Sequence, residues 1–73
     1  MVKPIIRSKE DANRVLRLAW AIAKGRIQKP YKNAVKDLLD FRDALKESGF
    51  WWQAERVEKA LHYLMKVHYS DLP

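Results

Sequence analysis

The sequence contains no cysteine. That excludes a disulfide framework and a thiolate zinc site, two staples on which very small domains often rely. Glycine is almost as scarce. Gly25 and Gly49 are the only two, so no glycine-rich phosphate loop can be built. Long apolar runs are missing as well. Leu18 to Ala23 is the longest uncharged stretch of the first half, far short of the ~20 residues a membrane-spanning helix needs. Met1 to Arg7 has no apolar core of the signal-peptide kind. A cytoplasmic, soluble protein is the expectation.

The most informative absence is of negative charge. From Ala12 to Lys36 there is no Asp or Glu, and seven cations: Arg14, Arg17, Lys24, Arg26, Lys29, Lys32 and Lys36. The stretch from Asp37 to Glu58 reverses the sign, with six acids against Arg42, Lys46 and Arg56. Clustered like charge sets up a field that attracts a polyanion. The chain as a whole carries a formal charge of +6.

Its 73 residues suit one domain. A domain of that length buries only about 60% of its unfolded surface, so its packing must be good. The apolar pattern has helical period in three segments, and no strand alternation or internal repeat is visible. Ser8 with Asp11 three residues later suits the start of a first helix, although Glu is the usual partner in a capping box. Ala12, Val15, Leu16, Ala19, Ile22 and Ala23 make its stripe, and Gly25 stops it. Pro30 suits the first turn of a second helix, with Tyr31, Ala34, Val35, Leu38, Leu39, Phe41 and Leu45 as its stripe and Gly49 at its end. A third helix carries Phe50, Ala54, Val57, Ala60, Leu61, Leu64, Met65 and Val67, followed by a tail from Ser70. The expected helices are 8–24, 30–48 and 50–68. Short connectors make sequential helices antiparallel, so the expected fold is all-α, a compact up-down-up three-helix bundle.

In such a bundle the end of helix 1, the start of helix 2 and the end of helix 3 share one pole. Lys24, Arg26, Lys29, Lys32 and Lys66 gather there, near His62 and His68. Glu10, Asp11, Asp43, Glu47 and Glu55 gather at the other. The first candidate site is this basic pole, extended along helix 1 by Arg14 and Arg17 and widened by Lys36. Lys and Arg neutralise phosphates and release counterions, which yields affinity for nucleic acid independent of sequence. An acidic protein would satisfy the same charges. The second candidate is the column Trp52, Arg56, Lys59, Tyr63 and Lys66, spaced four, three, four and three residues apart and placed roughly opposite the core stripe. Such a column suits base stacking, a protein-contact hot spot or a homodimer through helix 3. An intrahelical cation–π pair between Trp52 and Arg56 accounts for part of it locally.

Three further residues draw notice. Arg42 falls on the apolar stripe of helix 2, and Glu58 is its expected partner if it does not snorkel. Trp20 borders the core of helix 1 and reads as a wall. Trp51 reads as packing at the core edge. His62 and His68, six apart, cannot share a helix face, so no metal site is expected. No nucleophile has a His–acid context, so neither an enzyme nor a cofactor or small-molecule substrate is expected. A helix-turn-helix reading across Gly49 fails, because its two-residue connector is shorter than the three or four residues such turns use. Membrane-surface binding by helix 1 is weakened because its apolar face is needed inside. The expected function is a small basic nucleic-acid-binding protein. The alternative is a protein-interaction module or small inhibitor of the kind mobile elements encode.

Overall fold

A computed structural model describes residues 3–70 and contains three helices: α1 (Lys9–Ala23), α2 (Tyr31–Glu47) and α3 (Trp51–Ser70). They pack as a three-helix bundle. The helix ends differ from the expected ones by a residue or two, so the α2–α3 connector is three residues (48–50) and not the expected two, and connector length does not exclude a helix-turn-helix; α3 continues through Ser70. Of the expected tail, 71–73 lie outside the described residues.

Each turn has a local cause. Ser8 has extended backbone, and its Oγ accepts the Asp11 N–H at 3.2 Å. The Asp11 carboxylate reaches back to accept the Arg7 N–H at 3.0 Å. Two donors that would otherwise be orphaned are thus satisfied, with the shorter Asp acting one residue upstream of where Glu usually acts. At the other end of α1, Gly25 holds φ at +78°. Its N–H donates to Ile22 O at 3.2 Å and the Arg26 N–H to Ala21 O at 2.9 Å. The same pair of bonds recurs after α2. Gly49 sits at φ +84°, its N–H donates to Lys46 O at 3.1 Å, and Phe50 N–H to Leu45 O at 2.9 Å. Both helices therefore end in Schellman motifs, which place the helix-ending residue in the left-handed region where a Cβ is unwelcome. Pro30 occupies the N-cap of α2, with its carbonyl accepting the Ala34 N–H at 3.0 Å. It stands just outside the helix and not in its first turn.

The core is built from Ala12, Val15, Ala19, Ile22 and Ala23 of α1, Ala34, Leu38, Phe41, Ala44 and Leu45 of α2, and Ala54, Val57, Ala60 and Leu61 of α3. Half of these are alanine. Small side chains let helix axes approach closely, and Phe41, Leu38, Leu45 and Val57 fill what remains. Leu16, Val35, Leu39, Phe50, Leu64 and Met65 close the margin as half-buried residues.

Several expectations need correction. Val67 is exposed, at the rim of an open cleft it shares with Ile27 and Tyr31. Trp51 is 62% exposed, not packed at the core edge. The buried place in the first turn of α3 belongs to Gln53, whose Nε2 donates to Asn13 Oδ1 at 3.2 Å. Trp51 lies about 200° around the helix from Gln53 and instead meets Lys46, whose Nζ is 5.9 Å from the ring centroid. Asp37 is buried on the stripe of α2, an acid the apolar pattern conceals. Its Oδ2 receives Lys29 Nζ, from the α1–α2 connector.

Arg42 meets its expected partner. Its Nη1 is 3.5 Å from Glu58 Oε1, and Asp43 Oδ1 adds a second contact at 3.2 Å from Nη2. Glu47 accepts a hydrogen bond from Lys3 at 3.1 Å, which ties the N-terminal segment to the end of α2. That bond, and then the charge of Glu47, raises the Lys3 pKa above its ordinary value. The small stabilisation is present below the unfolded-state pKa and is lost as pH climbs through the raised one.

The Lys29–Asp37 pair generates a stability prediction. Lys29→Ala strands a buried carboxylate and should cost about 1–3 kcal/mol, reduced from a fully buried pair because Lys29 keeps some solvent. Replacing both residues with leucine should recover most of that loss. Urea unfolding of the single and double variants checks it. Equal losses in the two would refute the account.

Candidate functional site

The bundle sorts the seven cations of the acid-free run. Lys29 is held by Asp37, so its charge is already answered within the fold. Arg14 Nη1 lies 3.6 Å from Asp11 Oδ1. Arg17, Lys24, Arg26, Lys32 and Lys36 form no ion pair among the described residues, and neither do Arg56 and Lys59 of α3. Holding like charges together without partners is unfavourable for the fold.

Position decides which of these act together. Up-down-up connectivity leaves α1 and α3 parallel, and two contacts set their register. Asn13 meets Gln53, forty residues on. Further along both helices, Trp20 meets Tyr63 with ring centroids 6.0 Å apart and planes tilted by 55°. Arg17, Trp20 and Lys24, spaced three and four, form one column on α1. It runs beside the α3 column of Trp52, Arg56, Lys59, Tyr63 and Lys66, all exposed. The α3 column thus lies on the flank bordering α1, not at the back of the helix opposite the core.

Between the columns is a groove of about 340 Å³ lined by Leu16, Arg17, Trp20, Ala21, Lys24, Arg26, Trp52 and Arg56. It contains four cations, two indoles and no acid. Leu16 and Ala21 supply an apolar floor. Each indole carries a cation of its own helix. Lys24 Nζ is 5.5 Å from the Trp20 centroid, and Arg56 Cζ is 5.6 Å from that of Trp52. The local explanation of Trp52 and Arg56 therefore holds, and the pair is also part of something larger. Arg26 arrives through the Gly25 turn, since its N–H makes the outer bond of the Schellman motif. The groove joins two candidates that the sequence presents separately. Trp20, read as a core wall, packs against the core and also lines the groove. Its spacing to Arg17 and Lys24 is the signal that marks it.

The basic pole itself is different from its expectation. It holds an open cleft of about 680 Å³ whose lining is largely apolar, including Ile22, Ile27, Leu64 and Val67. Lys24 and Lys29 are its only lysines. His68 closes one side by stacking on Tyr31, with centroids 3.6 Å apart and planes at 14°. Lys32 and Lys36 stand on α2, away from the α1–α3 groove, and Lys36 borders the Lys29–Asp37 pair. Among the described residues, no three His, Cys, Asp or Glu side chains form a group able to hold a metal ion. No helix among them is long and apolar enough to cross a membrane.

No protein-family model, curated protein or solved structure matches this chain.

The unpaired cations generate a prediction opposite in sign to that for Lys29. Arg17→Gln and Arg26→Gln relieve repulsion without stranding a partner. Each should leave stability unchanged or raise it by a few tenths of a kcal/mol in low salt, with the gain fading as salt screens the charges. Thermal unfolding at two ionic strengths measures this. A loss above about 1 kcal/mol would mean that these side chains serve the fold.

Proposed function

We propose that this chain is a small, non-enzymatic binding protein of the cytoplasm that takes nucleic acid on its basic surface. One observation carries the reading. Arg17, Lys24, Arg26 and Arg56 line a single groove that contains no acid, and none of them has an ion-pair partner among the described residues. Charge that the fold leaves unanswered is available to an external polyanion. Lys32 and Lys36 extend the field from α2, and Arg14 adds to it from the exposed side of α1. Lys29 is removed from the set of phosphate contacts by Asp37.

A protein-interaction module is the second reading, and Trp51 and Trp52 favour it. Both are about three-fifths exposed, and both border a cavity of about 650 Å³ with Lys9, Asn13, Gly49, Phe50 and Gln53. Exposed tryptophans are enriched at binding hot spots. In this reading Trp51→Ala abolishes partner binding, whereas nucleic-acid binding is insensitive to it.

Salt dependence tests the first reading. With about five phosphates neutralised, log K for duplex DNA should fall against log salt with a slope of about −4 to −5. Arg17→Gln with Arg26→Gln should flatten the slope by about 2, and Lys9→Gln at the opposite pole should not change it. Binding that ignores salt, or no binding of either duplex or single-stranded nucleic acid at low salt, would refute the proposal.

A further inference from the structure

The groove is more than a patch of charge. Phosphate neutralisation requires cations alone, and the indoles at its centre add nothing to it. Trp52 keeps 61% of its surface in solvent although it neighbours α1. Leaving an indole that exposed is unfavourable, and its Arg56 contact offsets only part of the cost.

The indoles are also arranged. Each is paired with a cation four residues later in sequence, Trp20 with Lys24 and Trp52 with Arg56. Each pair therefore offers a π face and a positive charge side by side, the combination that one nucleotide presents in complement as base and phosphate. Both pairs open into the same groove. Tyr63, tilted against Trp20, extends the aromatic surface further along α3.

The occupant's form follows from geometry. In a duplex, bases are stacked on one another and their faces are closed to a protein. Duplex readers insert a protruding helix or ribbon into a groove of the nucleic acid. Here the functional side chains lie in a concave seam between two parallel helices. A flexible strand with unstacked bases can enter such a seam, lay its phosphates along the cations and place bases on the rings.

We propose that the α1–α3 groove is a binding site for single-stranded nucleic acid, with unpaired bases stacking on Trp52 and Trp20 while Arg17, Lys24, Arg26 and Arg56 hold the phosphates. This rests on the nucleic-acid reading above and narrows it. Stacking is tolerant of sequence because every base has a π face, so the site selects strandedness and not a motif. The rings read the base and the cations the phosphate. Neither touches the sugar in a defined way, so RNA and DNA strands share the same recognition chemistry.

The test compares five probes by fluorescence anisotropy at one low salt concentration: a 12-nucleotide oligothymidylate, the matching oligouridylate, an abasic phosphodiester strand of equal length, a blunt-ended duplex of equal phosphate number, and poly-glutamate. The two base-bearing strands should bind at least about tenfold more tightly than the abasic strand and the duplex. Trp52→Ala should weaken the oligothymidylate roughly 5- to 100-fold and leave the abasic strand unaffected, while Trp52→Phe should restore much of the loss. Trp52 is exposed, so the alanine variant should keep its circular dichroism spectrum and melting temperature. Oligouridylate binding far below oligothymidylate would overturn the shared chemistry of RNA and DNA. Abasic or duplex binding as tight as the oligothymidylate would overturn stacking and leave the polyanion reading standing. Equal binding of poly-glutamate would overturn the nucleic-acid site in favour of an acidic protein. Absence of binding to every probe would overturn both proposals together.

Discussion

Gly25 and Gly49 hold φ at +78° and +84°, and each makes the sharp turn by which the chain leaves its helix. Neither position is crowded, since a Cβ there would meet nothing within 4 Å. The constraint is the backbone conformation itself, which L side chains rarely adopt. Two reversals, a longer one over 24–30 and a tight one over 48–50, return α3 to the side of α1 with the same direction. Every feature of the surface seam follows from that parallel placement: the Asn13–Gln53 bond, the Trp20–Tyr63 contact, and the meeting of two columns that lie some forty residues apart in sequence.

Charge serves two separate purposes in this molecule. Lys29 with Asp37, and Arg42 with Glu58 and Asp43, use it internally, at positions where burial makes a partner necessary. Lys3 with Glu47 does so weakly at the rim. The cations of the α1–α3 groove have no such employment. The difference is local and structural, because Lys29 and Arg26 stand only three residues apart in one connector yet face opposite circumstances. Cation count therefore overstates the surface available to a partner, and ion-pair geometry corrects it.

Much of the architecture is legible in the sequence. Ser8, the two glycines and the three apolar stripes locate the helices to within a residue or two. Arg42 on an apolar stripe is legible either as a snorkelling cation or as a partner of Glu58, and the structure shows the pair. The misreadings share one physical origin. A helical period gives the angle of a residue about its own axis, but not the angles at which its neighbours sit. Trp51 and Trp52 differ from Phe50 by one and two steps of ~100°, and only the approach of α1 and α2 decides which steps face out. Asp37 is hidden for the complementary reason. Its position on the stripe is visible, but a lone acid there reads as surface until Lys29 is seen to fold back from the connector. The groove is not legible in the sequence because its halves lie on different helices, although Arg17, Trp20 and Lys24 repeat the three-and-four spacing of the α3 column.

The opposed ends of the bundle have a consequence in motion. The long dimension is 42 Å, with Glu10, Asp11, Asp43 and Glu47 towards one end and Lys24, Arg26 and Lys32 towards the other. Such a body has an electric dipole moment as well as a net charge. In the field of a polyanion such a body would experience a torque before contact, so rotation and approach would be coupled and its cationic end would lead. Orientation, usually found by repeated collision, would then be partly set at a distance.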